Sequence, residues 1–370
     1  MKTVNQATKR AVMTAAVLSA AFFFLPSCVT YYTVMPELNS DGSMTKTVYA
    51  QADSACLAGD TSSHPFLFEP GDGWTAEALP RTISTWCLDD SATYNYYAVR
   101  TFRRGDTAIR DIPASDEYAR LPYLQGKERW NRRWGLFFNT YTYSCTFPGI
   151  GNIMPVHPGS CMTENELQLW FGTCHGYQGM NGVEIYNVML SPLFDKFTHW
   201  VNECYRQHIY TTICSAASLE LTPEQKEELM EWMGKKYDFY DDMLSDGKSD
   251  WFIETARRMS GISGNQAFLQ IAMVQAPEWE QTMSALEEEL TAPFCYALMY
   301  KVRMPGRVTS ADTDLTDNGL PVWKVDGYRL LCGDLTIEAT SRKANPAGFI
   351  LCGAIILLCS AVLLRRRRRR

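Results

Sequence analysis

The run from Ala347 to Leu364 constrains this chain more than any other stretch. It holds only apolar and small residues, and six arginines, Arg365 to Arg370, follow it at once. Helical rise is ~1.5 Å per residue, so such a run reaches ~27 Å, about the thickness of a hydrocarbon core. No charge interrupts it, and lipid-facing backbone satisfies its polar groups only as a helix. Arginine blocks resist translocation. The sequence therefore predicts a transmembrane helix over 347–364, a cytoplasmic arginine tail over 365–370, and everything upstream on the far side.

The N-terminus predicts the same topology. Lys2, Lys9 and Arg10 form a basic region, and Ala11 to Leu25 is an apolar stretch too short to span comfortably, the layout of a secretory leader over 1–27. It ends in Leu25-Pro26-Ser27-Cys28, which resembles the lipobox of bacterial lipoproteins. That resemblance implies cleavage before Cys28 and a lipid on its sulfur. An ordinary leader with an incidental cysteine is the alternative. With both anchors in one membrane, the expected location is the inner membrane, ectodomain periplasmic and C-terminus cytoplasmic. A further alternative treats the helix and tail as a sorting signal that is removed.

Charge narrows the partners. Of the 35 Lys and Arg, three lie in the leader and six in the tail, leaving 26 against 41 Asp and Glu, a net of −15 in the ectodomain. That argues against nucleic acid and against a broad contact with anionic lipid. Membrane lipid, through the two anchors, and an envelope protein are the expected partners; no cofactor is expected. Nine cysteines fall in the ectodomain: Cys56, Cys87, Cys145, Cys161, Cys174, Cys204, Cys214, Cys295 and Cys332. An odd count leaves at least one free or intermolecular. Cys56 and Cys87, both in loop-like sequence, are the favoured disulfide candidates. Cys161 and Cys174 bracket a helix at 163–171 whose ends lie ~13 Å apart, beyond the ~7 Å a bridge spans.

Hydrophobic periodicity divides the ectodomain. Residues 31–53 read as a hairpin about Asp41-Gly42, 54–91 as loop, and Tyr94 to Phe102 as a strand. Leu136 to Phe147 places Phe137, Tyr141, Tyr143 and Phe147 on one parity, a strand with one buried face. Helical signals follow. Thr163–Glu166 and Thr222-Pro223-Glu224-Gln225 are N-terminal capping patterns, the second helix reaching Leu244. Pro192, Asp250 and Asn265 open others, with a last stretch over 278–290. Alternation returns from Phe294 to Val302, followed by strands near 308–311, 322–325 and 335–341. The expected fold is α+β: an antiparallel, membrane-proximal β unit from 28–150 and 293–346, with 151–292 inserted as a mostly helical, acidic lobe. In it the strands Phe137–Phe147 and Phe294–Val302 pair or pack.

Met304-Pro305-Gly306-Arg307-Val308, Val322-Trp323-Lys324-Val325 and Leu335 to Asn345, leading into the helix and basic tail, resemble the β-rich juxtamembrane domain of LppM-like bacterial lipoproteins. Asp41-Gly42-Ser43, Thr47-Val48-Tyr49 and Phe137 to Phe147 are similar to uncharacterised lipoproteins of Bacteroidota. The resemblance implies a fold element and a cell location, and carries over no catalytic residue.

Chemistry-bearing motifs are sparse. His199, Glu203, Cys204 and His208 share one helix, but at ~100° per residue they form two pairs on different faces and close no metal site. Cys174-His175 lacks an orienting third group. Gly149-Ile150-Gly151 and Ser260-Gly261-Ile262-Ser263-Gly264 lack the spacings of a dinucleotide loop and a nucleophile elbow. Between 100 and 133 nine basic residues face five acids. There Arg129, Trp130, Arg132, Arg133 and Trp134 form a candidate cation–aromatic contact surface for a partner or a lipid headgroup; the competing reading is a solvated strand edge. Two functions remain open. One is a non-catalytic envelope lipoprotein that binds or scaffolds another component. The other is a hydrolase-like envelope enzyme whose site assembles only in the fold.

Overall fold

A computed structural model of the chain describes residues 29–60, 64–71, 73–87, 91–103, 115, 118, 121, 124–172, 183, 191–244 and 250–368. The leader and Cys28 lie outside the described residues, as do Cys174, His175, Arg369 and Arg370. The fold is mixed α+β. By chain contacts it divides into two compact units, one of residues 1–148, 294–326 and 334–370, the other of 149–293 and 327–333.

The first unit is built on two sheets. Strands β1 (Thr30–Leu38) and β2 (Met44–Ala50) form the expected hairpin, Leu38 opposite Met44. A short helix α1 (Ser54–Leu57) follows, then β3 (Thr75–Trp86) and β4 (Ser91–Phe102). With β7 (Tyr296–Lys301), β9 (Thr316–Asp317) and β10 (Leu320–Asp326) they make a seven-stranded sheet ordered β3-β4-β2-β1-β7-β10-β9. The second sheet is ordered β5-β6-β11-β8, from Lys127–Arg133, Phe138–Phe147, Leu335–Ala344 and Arg307–Ala311.

Two expectations are corrected here. Residues 54–91 are not loop throughout: β3 is a long strand whose proline and nearly all-exposed side chains leave no alternation to read. Nor is the β unit wholly antiparallel, since β1 and β7 run parallel, Thr30 beside Tyr296 through Val34 beside Tyr300. A parallel pair needs a long crossover, and the stretch between these strands is long enough to supply it. Of the two arrangements expected for the parity strands, pairing or packing, the structure has the packing. β6 pairs with β11 along its whole length, Phe138 opposite Ala344 through Phe147 opposite Leu335. It meets β7 across the sheets instead, the Phe147 and Tyr300 rings 5.3 Å apart edge to face.

A buried ion pair also joins the sheets. Lys46 of β2 reaches Glu128 of β5 at 2.6 Å with both side chains 1% exposed, and the Tyr143 hydroxyl donates to Glu128 at 2.5 Å. Asn318 and Gly319, at φ 51° and 79°, make the type I′ turn that Asn-Gly favours between β9 and β10.

The second unit is helical. α2 (Glu164–Trp170) and α4 (Pro223–Lys236) begin with reciprocal capping boxes, Thr163 with Glu166 and Thr222 with Gln225. α3 spans Ser191–Ala217, α5 Phe239–Leu244, α6 Trp251–Ser263 and α7 Ala267–Thr291. The chain leaves the helix at Tyr237, so α4 does not run to Leu244. In contrast, α7 runs through Pro277 as one helix, because Phe268, Ala272, Ala276, Trp279, Met283 and Leu286 recur at helical spacing and are buried. Burying such a stripe outweighs the ~3 kcal/mol an interior proline costs. The short helix α8 (Gly327–Leu331) belongs to this unit: Tyr328 stacks on Phe171 at 5.6 Å and the Leu330 carbonyl accepts from Ile150 N–H. Gly149 is required there, since a Cβ would stand 2.6 Å from the Gly333 carbonyl carbon.

Candidate functional site

The last strand delivers the chain to its apolar helix with one residue between them. β11 ends at Ala344 and α9 spans Pro346–Arg368, with mean hydropathy 2.7 in its apolar window and 6% of that window buried. By length and composition it is able to cross a membrane.

Its start is fastened to the second sheet. Buried Asn345 donates its backbone N–H to the Phe137 carbonyl and its side-chain amide to the Gly135 carbonyl, each at 2.8 Å. Gly348 packs so closely on the Leu136 carbonyl that a Cβ would collide with it. Phe349 sits 5.1 Å from Phe137 and 6.0 Å from Phe138 between ring centroids. The turn between β5 and β6 therefore forms a collar at the helix foot. Its large side chains point outward: Trp134 is 64% exposed, Phe138 52% and Phe349 47%. Soluble surfaces seldom group such large apolar residues, and tryptophan is among the residues that membrane–water interfaces enrich.

The candidate contact surface splits by strand alternation. Trp130 and Arg132 turn toward the β1–β2 hairpin: the Trp130 indole donates to the Gly42 carbonyl at 3.2 Å and Arg132 to the Ser40 carbonyl at 3.1 Å. Arg132 also lies over the Tyr141 ring at 5.9 Å. These two brace the fold. Arg129, Arg133 and Trp134 remain exposed. β5 is an edge strand whose outward face carries Arg129 and Arg133.

The structure does not join Cys56 to Cys87; both are buried free thiols. Cys56 lies in α1, capped by Asp53. Cys87 follows β3 among Tyr31, Tyr94, Ala297 and Met299. Nearby, Lys324 approaches the Tyr31 hydroxyl at 3.5 Å, and Lys301 reaches Thr85 at 2.6 Å and Asp317 at 2.7 Å. This polar group, assembled from five strands and the chain beyond β3, escaped sequence reading because its members lie far apart in the chain. Burial pushes the Cys87 thiol up despite the two lysines, leaving it protonated and a weak nucleophile at neutral pH.

In the helical unit His199 stands 3.7 Å from Glu203, which also takes Arg206 at 2.7 Å. Cys204 points the other way, its thiol on the Val156 carbonyl and pushed up to about 12 by burial. Among the described residues no group of three or more His, Cys, Asp or Glu is placed to hold a metal ion. A cavity lined by Tyr32, Val34, Leu67, Phe68, Leu298 and Tyr300 offers roughly 20 Å³, space for about one water. No family model, curated protein or solved structure matches the chain.

Proposed function

We propose that this chain is a non-catalytic, membrane-anchored envelope lipoprotein that binds or scaffolds another component at the inner membrane. In this reading Cys28 carries a lipid, α9 spans the bilayer, the ectodomain is periplasmic and the arginine tail is cytoplasmic. One observation carries it: an exposed apolar helix leaves a folded β unit through a fastened, aromatic collar. The β-rich approach to that helix also suits the resemblance to LppM-like lipoproteins. A scaffold needs a fixed relation between anchor and folded domain, and the Asn345 and Gly348 contacts supply one.

The full chain should resist alkaline extraction from membranes, and removal of 346–370 should leave it held by the Cys28 lipid alone. Cys28→Ala added to that truncation should release it. Release by truncation alone would refute the lipid; retention of the doubly altered chain after its leader has been cleaved, checked by intact mass, would show that these two anchors do not account for its attachment. A reporter fused after Arg370 should work only in the cytoplasm. The enzyme alternative has its strongest candidate in the Cys87, Lys324 and Tyr31 group, and the protonated thiol speaks against nucleophilic chemistry there.

A further inference from the structure

We infer that a row of three arginines on the outer face of the second sheet, Arg133, Arg342 and Arg307, binds the phosphates of anionic phospholipid headgroups in the leaflet that α9 enters. The inference rests on α9 crossing the bilayer.

Sheet register sets the row. Arg133 lies opposite Thr140, Thr140 opposite Arg342, and Arg342 opposite Arg307. Residues opposite one another share a face. Tyr141, Tyr143 and Ser341 hold the buried face, and all three arginines are exposed. Arg342 and Arg307, directly opposite, lie ~5 Å apart, where like charges destabilise a sheet, and Arg133 stands one strand further, ~10 Å from Arg342. Among the described residues none of the three has a carboxylate partner, and the same face adds the exposed Lys127 and Arg129. Its acid, Glu338, is four residues from Arg342 along β11, or ~13 Å. A cation row that repels itself calls for an anion.

Position identifies the anion's source. Arg342 precedes the first residue of α9 by four positions, a distance that long side chains cover when they reach toward a headgroup layer. Trp134, directly after Arg133, belongs to the aromatic collar that sits at the apolar boundary. Aromatics at the boundary and guanidinium groups just above it match the order of acyl chain and phosphate in a bilayer. Guanidinium forks suit phosphate oxygens better than ammonium groups do.

The test uses the full chain in vesicles of phosphatidylcholine with or without phosphatidylglycerol. Spin-labelled lipids measure the preference of the protein's lipid shell for the anionic species. One surface cation is worth about fivefold in binding, so Arg133→Gln, Arg307→Gln and Arg342→Gln together should cut the preference at least tenfold. The matching lysine variant should keep most of it. The arginine tail is unchanged in both, so its own attraction cancels. In 5-fluorotryptophan-labelled protein, the resonance lost in Trp134→Phe should broaden with a gadolinium-headgroup lipid. An unchanged preference in the glutamine variant, or a Trp134 signal blind to the gadolinium lipid, overturns the inference while the anchor stands. A chain that never enters the vesicles overturns the anchor and this inference with it.

Discussion

At the scale of single residues, buried charge gives the sharpest expectations. Lys46 and Glu128 are shut from water, so the pair is worth little against apolar packing, but breaking it strands a charge. Lys46→Met should cost ~3–5 kcal/mol, whereas Lys46→Met with Glu128→Gln, which removes the stranded charge and keeps an acceptor for the Tyr143 hydroxyl, should recover much of the loss; urea midpoints in detergent measure both. Thiols offer a second check. Burial raises Cys56, Cys87 and Cys204 above the ordinary thiol range. Iodoacetamide should spare all three in the native protein and modify all three after unfolding without reductant. A need for reductant at Cys56 and Cys87 would restore the bridge between them. A third concerns acid. The Lys196 ammonium, then the Thr163 backbone N–H, hold Glu166 below its ordinary 4.5, and the Tyr237 hydroxyl does the same for Glu254. A lowered carboxyl stabilises the fold above its unfolded value, and the contribution fades as pH falls through the lowered one. Stability of the helical unit should therefore decline below about pH 4.5, and Glu166→Gln should flatten that slope.

Elements make a different kind of prediction. Thr222→Ala removes the N-cap of α4 and should cost ~1 kcal/mol, with Gln225 losing its reciprocal partner; thermal melts test it. Gly348→Val should free the helix foot, so that the Asn345 amide, bonded to Phe137 in the parent, exchanges with deuterium faster while α9 stays helical. The elements that sequence revealed share a reason. Thr163 and Thr222 announce helices through local hydrogen bonds, and Tyr141, Tyr143 and Phe147 announce β6 through one buried face. Hidden elements lack a local signal. β3 is an edge strand with both faces largely wet, and Pro277 reads as a stop that tertiary burial overrules. The cation–aromatic stretch was legible as a cluster, but only the register of β5 showed which half braces the hairpin. The arginine row was not legible at all, because Arg133 and Arg342 meet only through β6.

For the whole molecule, the chain passes between its two units four times, at 148–149, 293–294, 326–327 and 333–334. The helical lobe is thus more than the stretch expected at 151–292. It also claims α8, whose Leu330 and Leu331 are buried at 0% and 1% exposure. Replacing 149–293 alone with a Gly/Ser linker should leave those leucines uncovered and the product prone to aggregation. Replacing 327–333 as well should give a folded, monodisperse β unit that keeps α9. Size-exclusion chromatography in detergent separates the outcomes, and equal behaviour of the two variants would remove α8 from the lobe.

The parallel neighbours β1 and β7 also set a clock. Tyr296 follows its partner Thr30 by 266 positions, which a ribosome working at ~5–20 residues per second needs about 10–50 s to deliver. For that interval the nascent β1–β2 hairpin exports an open hydrogen-bonding edge, with β4 able to cover only its β2 side. A strand in that condition is a template for any other strand it meets. Holding chaperones should therefore cross-link to the β1 edge in chains arrested before residue 296, and release it once β7 has emerged.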